Sequence, residues 1–203
     1  KLFILSDEVY REFVYDGKTH TSLFNYMEGN PAKMIVLDSL SKRYSLCGAR
    51  IGCLVSLNKE IMSGVLRMAQ GRLSCGLVDQ AIAAKLTEVK DEYIKKTQSE
   101  YRARRDVVYQ ELKKIPGVFV PYPEGAFYMI VKLSVDDAEK FCQWLLMDFR
   151  DKQETIMLAP AAGFYGTKNL GISEVRIAYV INRKDLKRAM EILKKALKIY
   201  SSL

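Results

Sequence analysis

Apolar residues along this chain follow two rhythms, short unbroken runs and longer stretches spaced at three to four residues, which predict strands and helices respectively. The runs at 1–5, 34–37 and 51–55 predict three strands, the first of the sort buried on both faces of a parallel sheet. Asn58 is placed to cap a helix carrying Ile61, Val65, Leu66, Met68 and Ala69 on one face, and a further helix is expected over 78–88. From 91 to 115 the positions Ile94, Thr97, Tyr101, Val108, Leu112 and Ile115 share one face, predicting a long linking helix that stops at Pro116-Gly117. Beyond it the expected strands are short, at 118–120, 126–132, 155–158 and 175–180. Between them Ser134 is expected to cap a helix that buries Ala138, Phe141, Cys142, Leu145, Leu146 and Phe149. A last helix after Asn182 would bury Leu186, Ala189, Met190, Leu193, Ala196, Leu197 and Tyr200.

This order predicts an α/β protein of two parts: residues 1–95 as the C-terminal part of a larger cofactor-binding domain, and 96–203 as a smaller α+β domain. A chain that opens inside a sheet strand, and without Met, is expected to be the second part of a longer protein. With 49% hydrophobic and 28% charged residues, 203 residues suffice for a core, which excludes intrinsic disorder. The apolar runs are far shorter than the roughly 18 residues that cross a bilayer. The net charge of +8 is interleaved with acids, as in Lys90-Asp91-Glu92, so it predicts solvated helix faces and no nucleic-acid or membrane partner. Cys47, Cys53, Cys75 and Cys142 lack CxxC spacing and no signal segment precedes them, so reduced thiols and a cytoplasmic location are expected.

Ligands of open parallel sheets bind beyond the carboxyl ends of the strands, so the polar residues following each run carry the candidate chemistry. The first run delivers Ser6-Asp7-Glu8-Val9-Tyr10 and the second Asp38-Ser39-Leu40-Ser41-Lys42. An acid, a phenol, hydroxyls and an amine thus converge on one edge, although Asp7 and Ser39 also suit turn caps and Lys42 a surface position.

The run 39–52, SLSKRYSLCGARIG, resembles the pyridoxal-phosphate lysine signature of the class I and II aminotransferases, with an Arg-aliphatic-Gly eight to ten positions after the lysine. SDEVY at 6–10 resembles the family's Asp-x-x-Tyr motif, and EGAFY at 124–128 and VRIAY at 175–179 resemble its small-domain motifs. Four motifs in family order imply the three-layer fold of fold type I pyridoxal-phosphate transferases, here with an incomplete large-domain sheet. They also imply pyridoxal 5'-phosphate as cofactor and an amino acid and a 2-oxo acid as substrates.

The side chains suit that chemistry on physical grounds. A lysine attacks an aldehyde only as the neutral amine, and Lys42 suits the Schiff-base role and, once displaced, the proton shuttle at the α-carbon. Asp7 is the candidate for holding the pyridine nitrogen protonated. Tyr10 suits a hydrogen bond to the cofactor's 3' oxygen, and Ser39 and Arg50 offer a hydroxyl and a guanidinium fork for phosphate, the role that the resemblance gives both. Arg176 sits in an alternating strand, where an inward-facing cation needs an anion, and the resemblance makes that anion the substrate carboxylate. The segment 160–166 resembles one that lies near the substrate, its small residues permitting close approach. His20 is expected to be an ordinary loop residue and no metal site is expected. Cys47 and Cys53 are expected to be small packing residues.

The same signature also serves pyridoxal-phosphate lyases and synthases, and aminotransferase-like effector domains of transcription regulators; a decayed, purely structural domain is a further alternative. Family members are usually homodimers, which is the expected state of the intact protein. The residues that in the family cup the phosphate and stack on the ring would precede Lys1, so this chain alone is expected to be nearly silent in catalysis.

Overall fold

Strand β1 (Ile4–Asp7) runs parallel to β2 (Met34–Ser39), pairing Ile4 with Met34 and Asp7 with Leu37. On the other side of β2, β3 (Gly52–Val55) runs antiparallel, with Val36 opposite Val55 and Ser39 opposite Gly52. The computed structural model of the chain describes residues 2–26 and 28–202. Lys1 at the head of the first expected strand, Met27 in the turn-rich stretch before β2, and Leu203 lie outside the described residues.

The chain divides into two compact units, Lys1–Gln98 and Ser99–Leu203. In the first, β2 is central and buries Met34 and Val36. The expected two-sided burial of the first run is not observed: among the described residues β1 pairs only with β2, and Leu2, Phe3, Ile4 and Leu5 are all exposed. The sheet is also mixed, because β3 reverses direction through the tight connection from α1 (Leu40–Arg43). Helix α2 (Lys59–Arg72) begins where the Asn58 side chain accepts a hydrogen bond from the Ile61 N–H at 3.0 Å. Its expected inner face is only partly covered, with Leu66 and Met68 exposed. Helix α3 (Leu77–Ala84) passes into a 3-10 turn over Lys85–Glu88.

Helix α4 (Asp91–Leu112) ends three residues before the expected stop, in turns that bond Ile115 N–H to the Leu112 carbonyl and Val118 N–H to Ile115. Gly117 takes φ +74°, and a Cβ there would come within 2.9 Å of Ser134. The contact explains a second correction: Ser134 packs beside this turn, and the cap of α5 (Ala138–Met147) is Asp137, which accepts from the N–H groups of Glu139 and Lys140. Leu146, expected inside, is exposed.

In the second unit β4 (Tyr128–Lys132), β6 (Glu174–Ala178) and β5 (Ala159–Pro160) form an antiparallel sheet with β6 central. The strand expected at 155–158 is displaced to β5, and that expected at 118–120 makes one bridge, Phe119 to Lys132. Met129, Val131, Val175 and Ile177 pack against Phe141 and Leu145 of α5 and against Met190, Leu193 and Ala196 of α6 (Arg183–Tyr200). Trp144 stands in an aromatic group with Phe141, Phe149 and Tyr200, ring centres 5.1 to 6.0 Å away. Arg105, fully buried, is satisfied by Asp106, the Pro123 carbonyl and the Tyr122 hydroxyl.

Asn182 caps α6, its side-chain oxygen accepting from the Asp185 N–H at 3.0 Å. Asn182→Ala is expected to destabilise the protein by about 1 kcal/mol, read as a lowered urea midpoint, while Asn182→Ser should recover most of the loss. No helix among the described residues is long and apolar enough to cross a membrane.

Candidate active site

Because β1 and β2 are parallel and in register, they end at the same edge of the sheet, and the two polar segments leave it together. Asp7 closes β1; its exposed carboxylate accepts from the Val9 N–H at 3.2 Å and shapes the turn. Three residues on, Tyr10 is half-buried, with its ring edge-on to Phe13. From the other segment the Lys42 ammonium reaches to 5.8 Å from the centre of the Tyr10 ring. The structure therefore brings Lys42 and Tyr10 together.

The end of β2 is set by hydroxyls. Ser39 caps the single turn of α1, accepting from the Ser41 N–H at 3.1 Å and donating to the Ile51 carbonyl at 3.0 Å, with the Ser41 hydroxyl 2.8 Å away. The bond to Ile51 draws the segment after Arg50 onto the strand end. Gly52 permits that approach, since a Cβ there would stand 2.9 Å from the Asp38 carbonyl. Arg50 is exposed, adopts φ +53°, and donates from its guanidinium to the Cys47 carbonyl at 2.9 Å. Arg43, next to Lys42, ties the same turn to Asp38 at 2.6 Å and to Glu12 at 3.1 Å. Cys47 and Cys53 are exposed, not the packing residues expected.

Glu8, which motif reading passes over, is the most tightly held acid of this edge. It is 2% exposed and accepts from the Leu23 N–H at 2.8 Å, from the Ser22 hydroxyl at 2.8 Å, from Ser6 at 3.2 Å and from His20 Nε2 at 3.0 Å. Burial pushes its carboxyl up, but the hydrogen bonds from His20, Leu23, Ser22 and Ser6 outweigh burial and hold it at about 2. His20 is thus a pin between a surface loop and the end of β1, a correction to its expected role as an ordinary loop residue. The signal available in the sequence was a second acid just past an apolar run, after Ser6 and Asp7, with a lone histidine and Ser22 further along.

In the second unit Arg176 lies in β6 between Val175 and Ile177, which are both buried against the helices. Alternation therefore turns Arg176 to the opposite, open face of the sheet, correcting the expectation of an inward-facing cation. Its guanidinium lies over the Phe164 ring at 4.7 Å and the Tyr128 ring at 5.1 Å. It borders an open cavity of about 790 Å³ whose walls include Met157, Ala159 and Ile181. The segment 160–166 supplies the buried Ala161 and a 3-10 turn, Ala162–Phe164, that presents the Phe164 ring. Among the described residues no group of His, Cys, Asp and Glu is arranged to hold a metal ion.

Residues 1–193 match the family described as aminotransferase class I and II. An aspartate aminotransferase of Pyrococcus horikoshii is 30% identical over 97% of this chain and 48% of its own length. The crystal structure of an aspartate aminotransferase from Thermotoga maritima superposes with a TM-score of 0.79 at 30% identity, over 97% of this chain and 48% of that one. An α-aminoadipate aminotransferase from Thermus thermophilus, solved with N-(5'-phosphopyridoxyl)-L-leucine, shares the fold with a TM-score of 0.85 at 22% identity over 99% of this chain and 51% of that one. This chain spans about half the length of the relatives it matches. The motifs, the paired strand ends and these likenesses agree: the fold is that of fold type I pyridoxal-phosphate transferases, and the chain belongs to the class I and II aminotransferases.

Proposed function

We propose that the protein moves an amino group between an amino acid and a 2-oxo acid with pyridoxal 5'-phosphate as cofactor, and that Lys42 is its reactive amine. The observation that carries this is the Lys42 amine 5.8 Å from the Tyr10 ring, at the edge where β1 and β2 deliver Asp7 and Ser39. The donor set fits the cofactor: an amine for its aldehyde, a phenol for its 3' oxygen, a carboxylate for its pyridine nitrogen, and the Ser39 hydroxyl with the Arg50 guanidinium for its phosphate. When bound, pyridoxal phosphate supplies the aldehyde that receives the amino group and a ring that takes up the electron pair left at the α-carbon.

The chain's own residues do the rest. Lys42 would supply the amine that holds the cofactor through its aldehyde and, as a free amine, would take up the proton from the substrate α-carbon and return it. Asp7 keeps the pyridine nitrogen protonated by its negative charge, Tyr10 donates to the 3' oxygen, and Ser39 and Arg50 hold the phosphate against rotation. Arg176 takes the substrate α-carboxylate, for which a guanidinium offers two parallel donors. The intact protein in this reading is a cytoplasmic homodimer without nucleic-acid or membrane partners.

The test is spectroscopic and covalent. Added pyridoxal phosphate should give a near-visible absorbance band that borohydride fixes, with the label mapping by peptide mass to Lys42 and absent in Lys42→Ala. Incubation of the intact protein with an amino acid should then release the matching 2-oxo acid without ammonia. Label on another lysine would overturn the assignment of Lys42, and ammonia as product would make the protein a lyase.

A further inference from the structure

The guanidinium of Arg176 lies over two rings, Phe164 at 4.7 Å and Tyr128 at 5.1 Å, and among the described residues it makes no hydrogen bond or ion pair. This is unusual for a half-buried arginine, which normally spends its N–H donors on nearby acids or carbonyls. An acid is close in sequence: Glu174, two residues away on the same strand and therefore on the same face. Its carboxylate is occupied elsewhere, accepting from the Tyr165 hydroxyl at 2.5 Å. Tyr165 is itself packed in place, because a Cβ on Gly171 would meet its ring at 2.5 Å and Gly171 stands at φ +71°. The Ala161 N–H bonds the Glu174 carbonyl at 2.9 Å, so the short turn that carries Phe164 is pinned to β6 at both ends.

We propose that Phe164 is a positioning residue for substrate carboxylate recognition. Its ring, with that of Tyr128, holds the face of the Arg176 guanidinium and leaves the N–H donors at its edge for the incoming acid. Tyr165 supports this by keeping the neighbouring Glu174 from claiming them. A ring satisfies the charge of a guanidinium without accepting its hydrogen bonds, so the cation is ordered in advance and its donors are still unspent when substrate arrives. The inference rests on the reading of Arg176 as the carboxylate clamp and adds the residue that presents it.

The experiment uses the cofactor-loaded full chain and reads binding from the change in its visible spectrum, with two probes that differ by one carboxylate, 2-aminoisobutyrate and isopropylamine. Phe164→Leu is expected to weaken 2-aminoisobutyrate about tenfold while isopropylamine binds as before, and Phe164→Tyr, which keeps the ring, should match the parent protein. Phe164 is 54% exposed, so its truncation removes little core, and equal melting temperatures establish that the variants are folded. Unchanged 2-aminoisobutyrate binding in Phe164→Leu, or equal weakening of both probes, overturns the proposal. Arg176→Ala separates the two levels: it should abolish the preference for the acid over the amine. If that preference survives, the clamp reading falls and this inference with it; if it is lost while Phe164→Leu has no effect, only the role of Phe164 falls.

Discussion

In the cofactor-loaded protein, Lys42→Ala should lower the rate of amino transfer by about 10²- to 10⁴-fold, the usual contribution of a positioned general acid–base. The fall should appear in the single-turnover conversion of the amino acid, because removing the amine removes the proton carrier and the covalent tie to the cofactor while leaving Asp7, Tyr10, Ser39, Arg50 and Arg176 in place. Apparent affinity for the amino acid should therefore change much less than the rate. Folding should be unaffected: Lys42 sits in the four-residue turn α1, whose geometry is set by the Ser39 cap and by the Arg43 ties to Asp38 and Glu12. A loss of only a fewfold, with the melting temperature intact, would transfer the proton step to another group.

The second large effect concerns stability. Glu8 is held at about 2 in the folded protein against 4.5 in a free side chain. The unfolded chain therefore binds the extra proton first as pH falls, so the stabilisation is fully present above about 4.5 and is lost as pH drops through about 2. Its size follows from the shift and is on the order of 3 kcal/mol. Urea midpoints measured between pH 7 and 2.5 should fall steeply below pH 4.5 in the parent protein, whereas Glu8→Gln should start lower at neutral pH and show a shallower acid slope. Hydrogen exchange at the Leu23 amide, a direct donor to Glu8, reports the same event locally and should accelerate in the variant. An acid slope identical in both proteins would remove Glu8 as its source.

Local signals in the sequence transferred well to the structure. Asn58 and Asn182 cap the helices expected of them, because a cap is decided by one short side chain and the three residues after it. The apolar stripe of α6 is likewise buried at Leu186, Met190, Leu193, Ala196 and Leu197. Where two neighbours could serve, the local signal was ambiguous: Ser134 and Asp137 are both good caps, and the choice fell to Asp137 because the turn at Gly117 packs against Ser134. Pairing between distant segments was less legible. Strand β5 forms at 159–160, not 155–158, because its register is set by β6.

The candidate site divides in the same way. Lys42, Asp7, Tyr10, Ser39, Arg50 and Arg176 were singled out by contiguous motifs, and the structure shows Lys42 beside Tyr10 and Ser39 bonded to the carbonyl following Arg50. Alternation placed Arg176 opposite its buried neighbours but could not say which face the helices would cover. The Glu8–His20 pair is twelve residues apart across a loop, and no spacing rule joins such partners.

The aromatic group around Trp144 carries an optical consequence. That residue is the chain's one tryptophan, and it belongs to the second unit, where Phe141, Phe149 and Tyr200 surround it. Emission excited beyond the tyrosine absorption therefore comes from a single fluorophore among the helices of that unit. A fluorescence melt is a clock for one half of the chain, and the unit that holds Lys42 and Glu8 is dark to it. Two unfolding curves, one by emission and one by circular dichroism, would thus tell whether the units let go together or in turn.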